Sequence, residues 1–327
     1  MKKPYVLGID IGGTNTVFGV VDARGTVIAS GAIKTRKHDV FDDYIKELHD
    51  GVEKIFEENH IAADSIHGIG VGAPNGNFYT GNIEFAPNLP WRGTLQLAAK
   101  LEEAFGIPCA VTNDANAAAI GEMTYGAARG MKDFIMITLG TGVGSGVVSN
   151  GQMIYGADGM AGELGHIVVR RGGRLCGCGR RGCLETYCSA TGVVRTALEM
   201  LDANPTATTT LRNIPSGDLT SKDIYDAAMA GDGMAQSVFE MTGRVLGESL
   251  SDFAAFTSPE AFVIFGGLAK SGDLLFKPMI EAFEANLLPF HKGKIKILPS
   301  ALKEADAAVL GASALGWEAK FTAKTQE

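Results

Sequence analysis

Three of the five cysteines lie within eight residues, in a segment that also follows a histidine. The spacing is Cys-x-Cys-x4-Cys, from Cys176 through Cys178 to Cys183, and His166 lies ten residues before the first thiol. Three thiolates and one imidazole are a ligand set typical of a tetrahedral structural Zn²⁺ site. A Cys-x-Cys disulfide would be strained, and the chain has no Cys-x-x-Cys redox spacing. We therefore predict zinc bound by four protein ligands, with no open position for catalysis.

Two glutamates, Glu163 and Glu185, flank this cysteine segment. The segment has little apolar content of its own, so a metal ion would have to hold it in shape. Carboxylates kept at fixed positions by such a loop can accept hydrogen bonds from sugar hydroxyls. The pattern therefore indicates a carbohydrate site beside the zinc.

A third acid lies where a predicted strand ends and an Ala-rich helix begins. In TNDANAAA, both Asp114 and Asn116 are suitable helix N-caps, and capping is one role open to them. The other role for Asp114 is a general base, because a carboxylate can accept the proton of an alcohol that attacks a γ-phosphoryl group. Asn88, in the loop FAPNLPW beside Trp91, suits either a sugar contact or an ordinary turn.

Two Gly-Thr turns, 127 residues apart, begin similar segments. GTNTVFGVV (13–21) and GTGVGSGVV (140–148) are identical at five of nine positions. Each turn would present backbone N–H groups and a hydroxyl to phosphate oxygens, although a plain hairpin turn is the alternative. Asp10 precedes the first turn and Ile137 matches it in the second, so one carboxylate would hold a hydrated Mg²⁺.

The elements that position these residues occur in two similar series. We predict three strands in 5–35, and then a helix at 39–59, a strand at 67–74, a helix at 94–105 and a strand at 109–114. The order begins again with short strands in 133–154. It continues with helices at 189–201, 221–230 and 232–257, a strand at 261–265, a helix at 273–286, a strand at 295–298 and a helix at 306–319. This order predicts a mixed α/β fold of two facing lobes.

Composition limits the classes of partner. The 327 residues are 46% hydrophobic, enough for two lobes, and carry a net charge of −8. No run of Lys and Arg exceeds two residues, so we expect no nucleic-acid partner. No apolar stretch is long enough to span a membrane, and an odd number of cysteines favours a cytoplasmic chain.

Seven motifs together resemble a known family. GIDIGGTN, APNLPW, TNDANAAA, LGTGVGSGVV, GELGH, CGCGRRGCLE and FGG occur in the order found in the ROK family of bacterial sugar kinases and sugar-responsive repressors. The resemblance covers essentially the whole chain and is greatest to the glucokinases of that family. It implies an actin/hexokinase-like (ribonuclease H-like) fold with duplicated βββαβαβ units. Residues 1–117 and 306–327 would form a small lobe, and 118–305 a large lobe with the zinc loop.

The resemblance also implies roles for individual residues. Asp114 would be the base acting on the sugar 6-hydroxyl, and His166 would use one ring nitrogen for zinc and the other for a hydroxyl. The sugar contacts would be Asn88, Asn113, Asp114, Glu163, His166 and Glu185. The nucleotide and its metal would lie against Asp10, Gly12, Gly13, Thr14, Thr141 and Gly142, with adenosine near Gly266 and Gly267. Phe265 stands where many relatives have a further glycine, which leaves the purine contacts open.

The implied activity is phosphorylation of a hexose by ATP, with Mg²⁺ and a structural Zn²⁺. Glucose is the expected substrate, in a homodimer or homotetramer. Two alternatives stay open: a kinase for another hexose or an N-acetylhexosamine, and a sugar-responsive transcription repressor. A repressor would need a helix-turn-helix, and only about ten residues precede Gly12.

Overall fold

The computed structural model describes residues 3–302 and 304–321, so the last six residues of the predicted small lobe lie outside it. The first half of the chain forms one five-stranded sheet with three helices and a two-stranded hairpin. Its elements are β1 (Tyr5–Ile11), β2 (Asn15–Asp22), β3 (Val27–Lys34), α1 (Phe41–Glu58), β4 (Ile66–Ala73), β5 (Ile83–Glu84), β6 (Thr94–Leu95), α2 (Leu97–Phe105), β7 (Cys109–Asn113) and α3 (Asp114–Tyr125).

The second half forms another five-stranded sheet, with more helices between its strands. Its elements are β8 (Phe134–Leu139), β9 (Val143–Ser149), β10 (Gln152–Met153), α4 (Glu185–Cys188), α5 (Ala190–Ala203), α6 (Ser221–Met229), α7 (Gly233–Thr257), β11 (Ala261–Phe265), α8 (Asp273–Asn286), β12 (Lys296–Pro299) and α9 (Glu304–Gly316).

The two sheets have the same topology. The strand orders are β3-β2-β1-β4-β7 and β10-β9-β8-β11-β12. In each sheet the first three strands are antiparallel neighbours, and the last two run parallel to the first strand. The predicted α/β fold with duplicated units is confirmed.

The two hairpins differ by one residue in register, which corrects one match made from sequence. Asp10 pairs with Val17, and 127 residues later the counterpart of Val17 is Gly144, which pairs with Thr138. The structural counterpart of Asp10 is therefore Thr138, and the match to Ile137 is wrong. The reason is the turn geometry, because a one-residue change in register moves side chains to the opposite face of a strand. The conclusion that only one half carries an acid here still holds.

Helices α3 and α9 pack against each other; α9 packs on the first sheet, and α3 contacts strands of both sheets. They cross at two glycines, since a Cβ on Gly121 would lie only 2.7 Å from the Cα of Gly311. Gly70 in β4 needs the same closeness, because its Cβ would lie 2.0 Å from the carbonyl oxygen of Ala312 in α9. On the other side, Gly146 in β9 packs against α3. The predicted lobe boundary at residue 117 falls within α3 and remains a prediction.

Each sheet has its own apolar core. In the first half, six residues at helical spacing on α1 are buried, namely Tyr44, Ile45, Leu48, Val52, Ile55 and Phe56. They pack with residues of β1, β4 and β7, among which Ile9, Val71 and Val111 are at most 1% exposed. A second core joins β8, β9 and β11 to the long helix α7. Within the described residues, no helix is both long and apolar enough to cross a membrane.

Candidate active site

Asp114 is the first residue of α3, at the end of a parallel strand. The Oδ1 of the preceding Asn113 accepts a hydrogen bond from the Ala115 N–H at 2.8 Å, and Asn113 is therefore the N-cap. Asn116, the other candidate cap, is buried and donates to Thr112 Oγ1 at 3.3 Å. Asp114 Oδ1 accepts from the same Ala115 N–H at 2.8 Å. The capping function is thus filled by a neighbour, which leaves Asp114 available for chemistry.

Asp10 and Asp114 line one cavity of about 220 Å³ between the two sheets. Thr138 and Phe265 of the second sheet line its opposite side. Burial and, secondly, the charge of Asp114 raise the pKa of Asp10 to about 7. Burial also raises the pKa of Asp114, although the hydrogen bond from Ala115 opposes this. Two buried carboxylates repel each other when both are ionised, so this pair favours a bound cation such as Mg²⁺.

Glu163 is close enough to Asp114, His166 and Glu185 for each of them to affect its pKa. Burial is the main cause of the raised pKa of Glu163; His166 lowers this pKa, whereas Asp114 and Glu185 raise it. Asp114, His166 and Glu185 therefore lie near Glu163, and Asp114 also lines the cavity. This is the set that the sequence predicts for a sugar.

The Glu185 carboxylate also contacts the second Gly-Thr turn. Its Oε2 accepts a hydrogen bond from the Val143 N–H at 3.1 Å, and a Cβ on Gly142 would lie 2.3 Å from the same oxygen. A side chain at position 142 would therefore displace the Glu185 carboxylate from this turn. The turn is also held from α5, because Thr191 Oγ1 donates to the Thr141 carbonyl at 3.1 Å and the Ala190 N–H donates to Gly140.

The four predicted zinc ligands form a compact cluster. The ligand atoms of His166, Cys176, Cys178 and Cys183 all lie within 4.8 Å of one another. The Sγ atoms of Cys178 and Cys183 are 3.7 Å apart, and Cys176 Sγ is 3.6 Å from His166 Nδ1. Two thiolates on a tetrahedral zinc at 2.3 Å would be about 3.8 Å apart. The donor set and its spacing therefore fit Zn²⁺, with Nδ1 as the histidine donor and Nε2 left for another partner.

The zinc loop is joined to its surroundings by a buried arginine. The Arg174 guanidinium donates to the Thr186 carbonyl at 2.7 Å, to Thr196 Oγ1 at 2.9 Å and to both carboxylate oxygens of Glu199, at 2.9 and 2.6 Å. It also lies 4.4 Å from the ring centroid of Tyr187. Arg174 thus connects the zinc loop to α4 and α5.

We expect Arg174→Ala to lower the free energy of unfolding by about 2–4 kcal/mol, because it removes a charged group with several buried hydrogen bonds. We expect no larger fall in the free energy of unfolding, because the partner carboxylate of Glu199 is exposed and stays hydrated when Arg174 is removed. Urea denaturation would measure it. Arg244→Ala is the matched control, since its ion pair with Glu240 is exposed and contributes under about 1 kcal/mol. Equal losses in the two variants would contradict the role of Arg174.

The first Gly-Thr turn meets the loop that contains Asn88. A Cβ on Gly13 would lie 3.1 Å from the Asn88 carbonyl oxygen, and the Asn88 side chain is next to it. Trp91, in contrast, is a core residue: it is 6% exposed, and its ring packs 4.6 Å from that of Tyr44. The Trp91 ring therefore belongs to the first core, which covers it.

A cavity of about 550 Å³ lies beyond the second turn. Gly266 needs glycine, because its φ is 103° and a Cβ would lie 2.5 Å from the Leu139 carbonyl oxygen, whereas Gly267 faces open space. No local sequence pattern indicates the other wall of this cavity. That wall comes from α6 and its neighbours. The residues that line the whole cavity are Leu139, Gly140, Thr141, Ala190, Ser221, Lys222, Tyr225, Gly267, Leu268, Lys270 and Ser271.

Comparisons with known proteins agree with this geometry. The sequence model of the ROK family matches residues 6–319. The glucokinase of Halalkalibacterium halodurans is 39% identical over 329 aligned positions, which cover 100% of this chain and 98% of the relative. The xylose repressor of Bacillus spizizenii is 26% identical, and the match covers 96% of this chain and 77% of the repressor.

Among solved structures, a ROK family glucokinase from Streptomyces griseus in complex with glucose and AMPPNP superimposes with a TM-score of 0.79 and 33% identity. The match covers 96% of this chain and 99% of that chain. With the duplicated sheets, the cysteine cluster and these matches, the chain belongs to the ROK family.

Proposed function

We propose that the protein is an ATP-dependent sugar kinase that transfers the γ-phosphoryl group of ATP to the 6-hydroxyl of glucose. The observation that carries this proposal is the grouping of Asp114, His166 and Glu185 around Glu163, with Asp114 also lining a cavity between the two sheets. The identity of 39% to a glucokinase over the whole chain and the likeness to a glucokinase bound to glucose and AMPPNP support it.

On the sugar side, Asp114 acts as general base. A buried carboxylate with one hydrogen bond from the backbone keeps a free oxygen for the 6-hydroxyl proton. Glu163, Glu185 and His166 Nε2 hold the other hydroxyls, together with the side chains of Asn88 and Asn113. Because carboxylates accept, and Nε2 donates once Nδ1 binds zinc, this set can bind several hydroxyls at once.

On the nucleotide side, the two Gly-Thr turns hold the phosphates, through Gly12, Gly13 and Thr14 in the first and Thr141 and Gly142 in the second. The adenosine lies in the 550 Å³ cavity beside Gly266 and Gly267. Mg²⁺, bound beside Asp10, would neutralise charge on the phosphates during transfer.

Zinc has a structural role in this proposal. The cluster of His166 and three cysteines supplies four donors, which fill a tetrahedral zinc. Cys176 Sγ lies 3.6 Å from Glu185 Oε1, so the cluster is in contact with a proposed sugar ligand. The metal thereby fixes the position of His166 and Glu185.

We also propose that the two sheets belong to two lobes, the small one containing residues 1–117 and 306–327 and the large one 118–305. The lobes close over the two substrates, and the protein forms a homodimer or homotetramer. Light scattering of the purified protein measures the mass and thus tests the oligomeric state.

A coupled assay of ADP release with a panel of sugars tests the function. We expect ATP-dependent turnover with glucose, and kcat/KM at least about tenfold above that for mannose, fructose and N-acetylglucosamine, because a site built for particular hydroxyls rejects altered ones. Turnover of another sugar without turnover of glucose would change the substrate. No turnover with any sugar, together with sugar-dependent retardation of operator DNA, would favour a repressor.

A further inference from the structure

Arg36 bridges the two loops that the proposed function assigns to different substrates. It lies in the short 3-10 helix Thr35–Lys37, directly after β3. Its Nε donates to the Gly13 carbonyl at 2.7 Å, and its Nη2 donates to the Asn88 carbonyl at 2.9 Å. One planar side chain therefore holds the first Gly-Thr turn and the Asn88 loop at a fixed separation.

The backbone that carries Arg36 is itself held rigidly. The N–H of Thr35 donates to the Thr14 carbonyl at 3.0 Å. The buried Thr35 hydroxyl lies 2.9 Å from that of Thr16, which in turn lies 2.8 Å from the Tyr44 hydroxyl. The guanidinium thus extends from a backbone segment that is already hydrogen-bonded to the first Gly-Thr turn. Its hydrogen bond to the Asn88 carbonyl reaches the Asn88 loop.

Nothing among the described residues neutralises the charge of Arg36. Its hydrogen-bond partners are two neutral carbonyls, and no carboxylate among the described side chains forms an ion pair with it. The side chain is exposed, so a surface ion pair with one of the chain's many acids would have been easy to form. Lys37, its neighbour, does form such a pair, with Glu47 at 2.7 Å. Arg36 thus binds the backbone of two loops, whereas its neighbour Lys37 pairs with an acid.

We propose that Arg36 is a positioning residue for phosphoryl transfer, which aligns the phosphate turn with the sugar loop. The inference rests on the proposed function. In-line transfer requires the acceptor oxygen and the γ-phosphorus to meet at a fixed distance, and loops that shift relative to each other lose that alignment. The positive charge of Arg36 beside the turn also favours the negative phosphates. A guanidinium suits the task because its rigid fork reaches two acceptors at once.

The test compares Arg36→Ala and Arg36→Lys with the wild type and with Lys37→Ala as the matched control. We expect kcat/KM for both glucose and ATP to fall about tenfold in Arg36→Ala. This fall corresponds to the lower end of the energy of charged hydrogen bonds, because the two hydrogen bonds of Arg36 are exposed. Arg36→Lys should recover only part of the activity, since an ammonium lacks the planar fork. Added guanidinium should raise the activity of Arg36→Ala and leave that of the wild type unchanged. Lys37→Ala should stay within about twofold of the wild type.

The outcomes separate this inference from the function on which it rests. A wild type that phosphorylates no sugar overturns the proposed function and the inference together. An active wild type with an equally active Arg36→Ala overturns the inference alone. A merely structural role would lower the Tm of Arg36→Ala but leave kcat unchanged well below that Tm, and this result also contradicts the inference. Joint loss of kcat/KM for both substrates, with rescue by guanidinium, supports it.

Discussion

Asp114→Asn lowers kcat by about 10²–10⁴-fold while glucose and ATP still bind. This is the range that a positioned general base contributes. The amide keeps the size of the side chain and can still hydrogen-bond a sugar hydroxyl, but it cannot take the proton. Because Asn113 caps α3, the substitution leaves the helix start intact. Coupled kinetics measure kcat, and calorimetry of glucose binding measures the affinity.

Asp273→Asn provides the matched control for Asp114→Asn. Asp273 is also the first residue of a helix, α8, but it is exposed and lies in another part of the fold. Its variant should keep wild-type kcat. Equal falls in kcat and in sugar affinity for Asp114→Asn would show that Asp114 holds the sugar and does not act as a base.

The pH profile gives a second test of Asp114. The general base must be ionised, and burial raises the pKa of Asp114 above the ordinary value of 3.8. Activity should therefore fall as the pH drops through this raised pKa, and the acid limb of kcat/KM should lie above pH 3.8. In Asp114→Asn, the residual kcat/KM should no longer fall over the pH range in which Asp114 is protonated in the wild type. An acid limb unchanged by the substitution would assign it to another carboxyl.

Much of the fold follows from local patterns. The predicted helix at 273–286 and strand at 261–265 coincide with α8 and β11, because each has a clear period and is bounded by turn residues. The hairpin of β5 and β6 was not predicted, since two-residue strands are too short to show a period. Chain order and hydrophobic period thus determined the long elements, whereas short pairings depend on contacts made after folding.

The candidate site divides in the same way. The cysteine spacing predicted a cluster that the structure brings together, because its ligands lie in one continuous segment with a single nearby histidine. Asp10 and Thr138 occupy equivalent positions in the two hairpins. This equivalence depends on the register of each hairpin, which an alignment of the two sequence segments cannot show. Arg36 gave no signal, since it acts on loops 23 and 52 residues away in sequence. Side chains that join distant loops need the folded chain to be recognised.

Cys178→Ser should lose the bound metal and weaken glucose binding. Purified wild-type protein should contain about one equivalent of zinc per chain, and the variant far less, because a serine hydroxyl is a poor zinc donor. Structural zinc supplies about 10–16 kcal/mol in small zinc peptides at pH 7, so loss of one of four ligands releases much of the loop. Here Arg174 still anchors one side of the loop, and we expect local disorder with the rest of the fold intact.

Weakened sugar binding follows from contacts between the cluster and the sugar residues. His166 would be both a zinc ligand and a sugar ligand, and Glu185 Oε1 lies 3.6 Å from Cys176 Sγ. Release of the loop frees both side chains, so KM for glucose should rise at least about tenfold while KM for ATP changes little. Metal analysis and steady-state kinetics measure the two effects. Cys109→Ala is the matched control, since Cys109 is a buried cysteine of the first core and should keep its zinc.

Zinc content and KM for glucose together decide whether the metal is needed for sugar binding or only for the structure of the zinc loop. Loss of zinc with an unchanged KM for glucose would mean that Glu185 keeps its position through the Val143 N–H and through Arg174, which holds the adjacent Thr186 carbonyl. If the intact protein contains no zinc, the proposed structural role of the metal is wrong, and the close spacing of the three thiols has another cause. Parallel loss of zinc and of glucose affinity is the result expected if the metal aligns His166 and Glu185, because in the folded chain the sugar residues and the metal ligands belong to one segment.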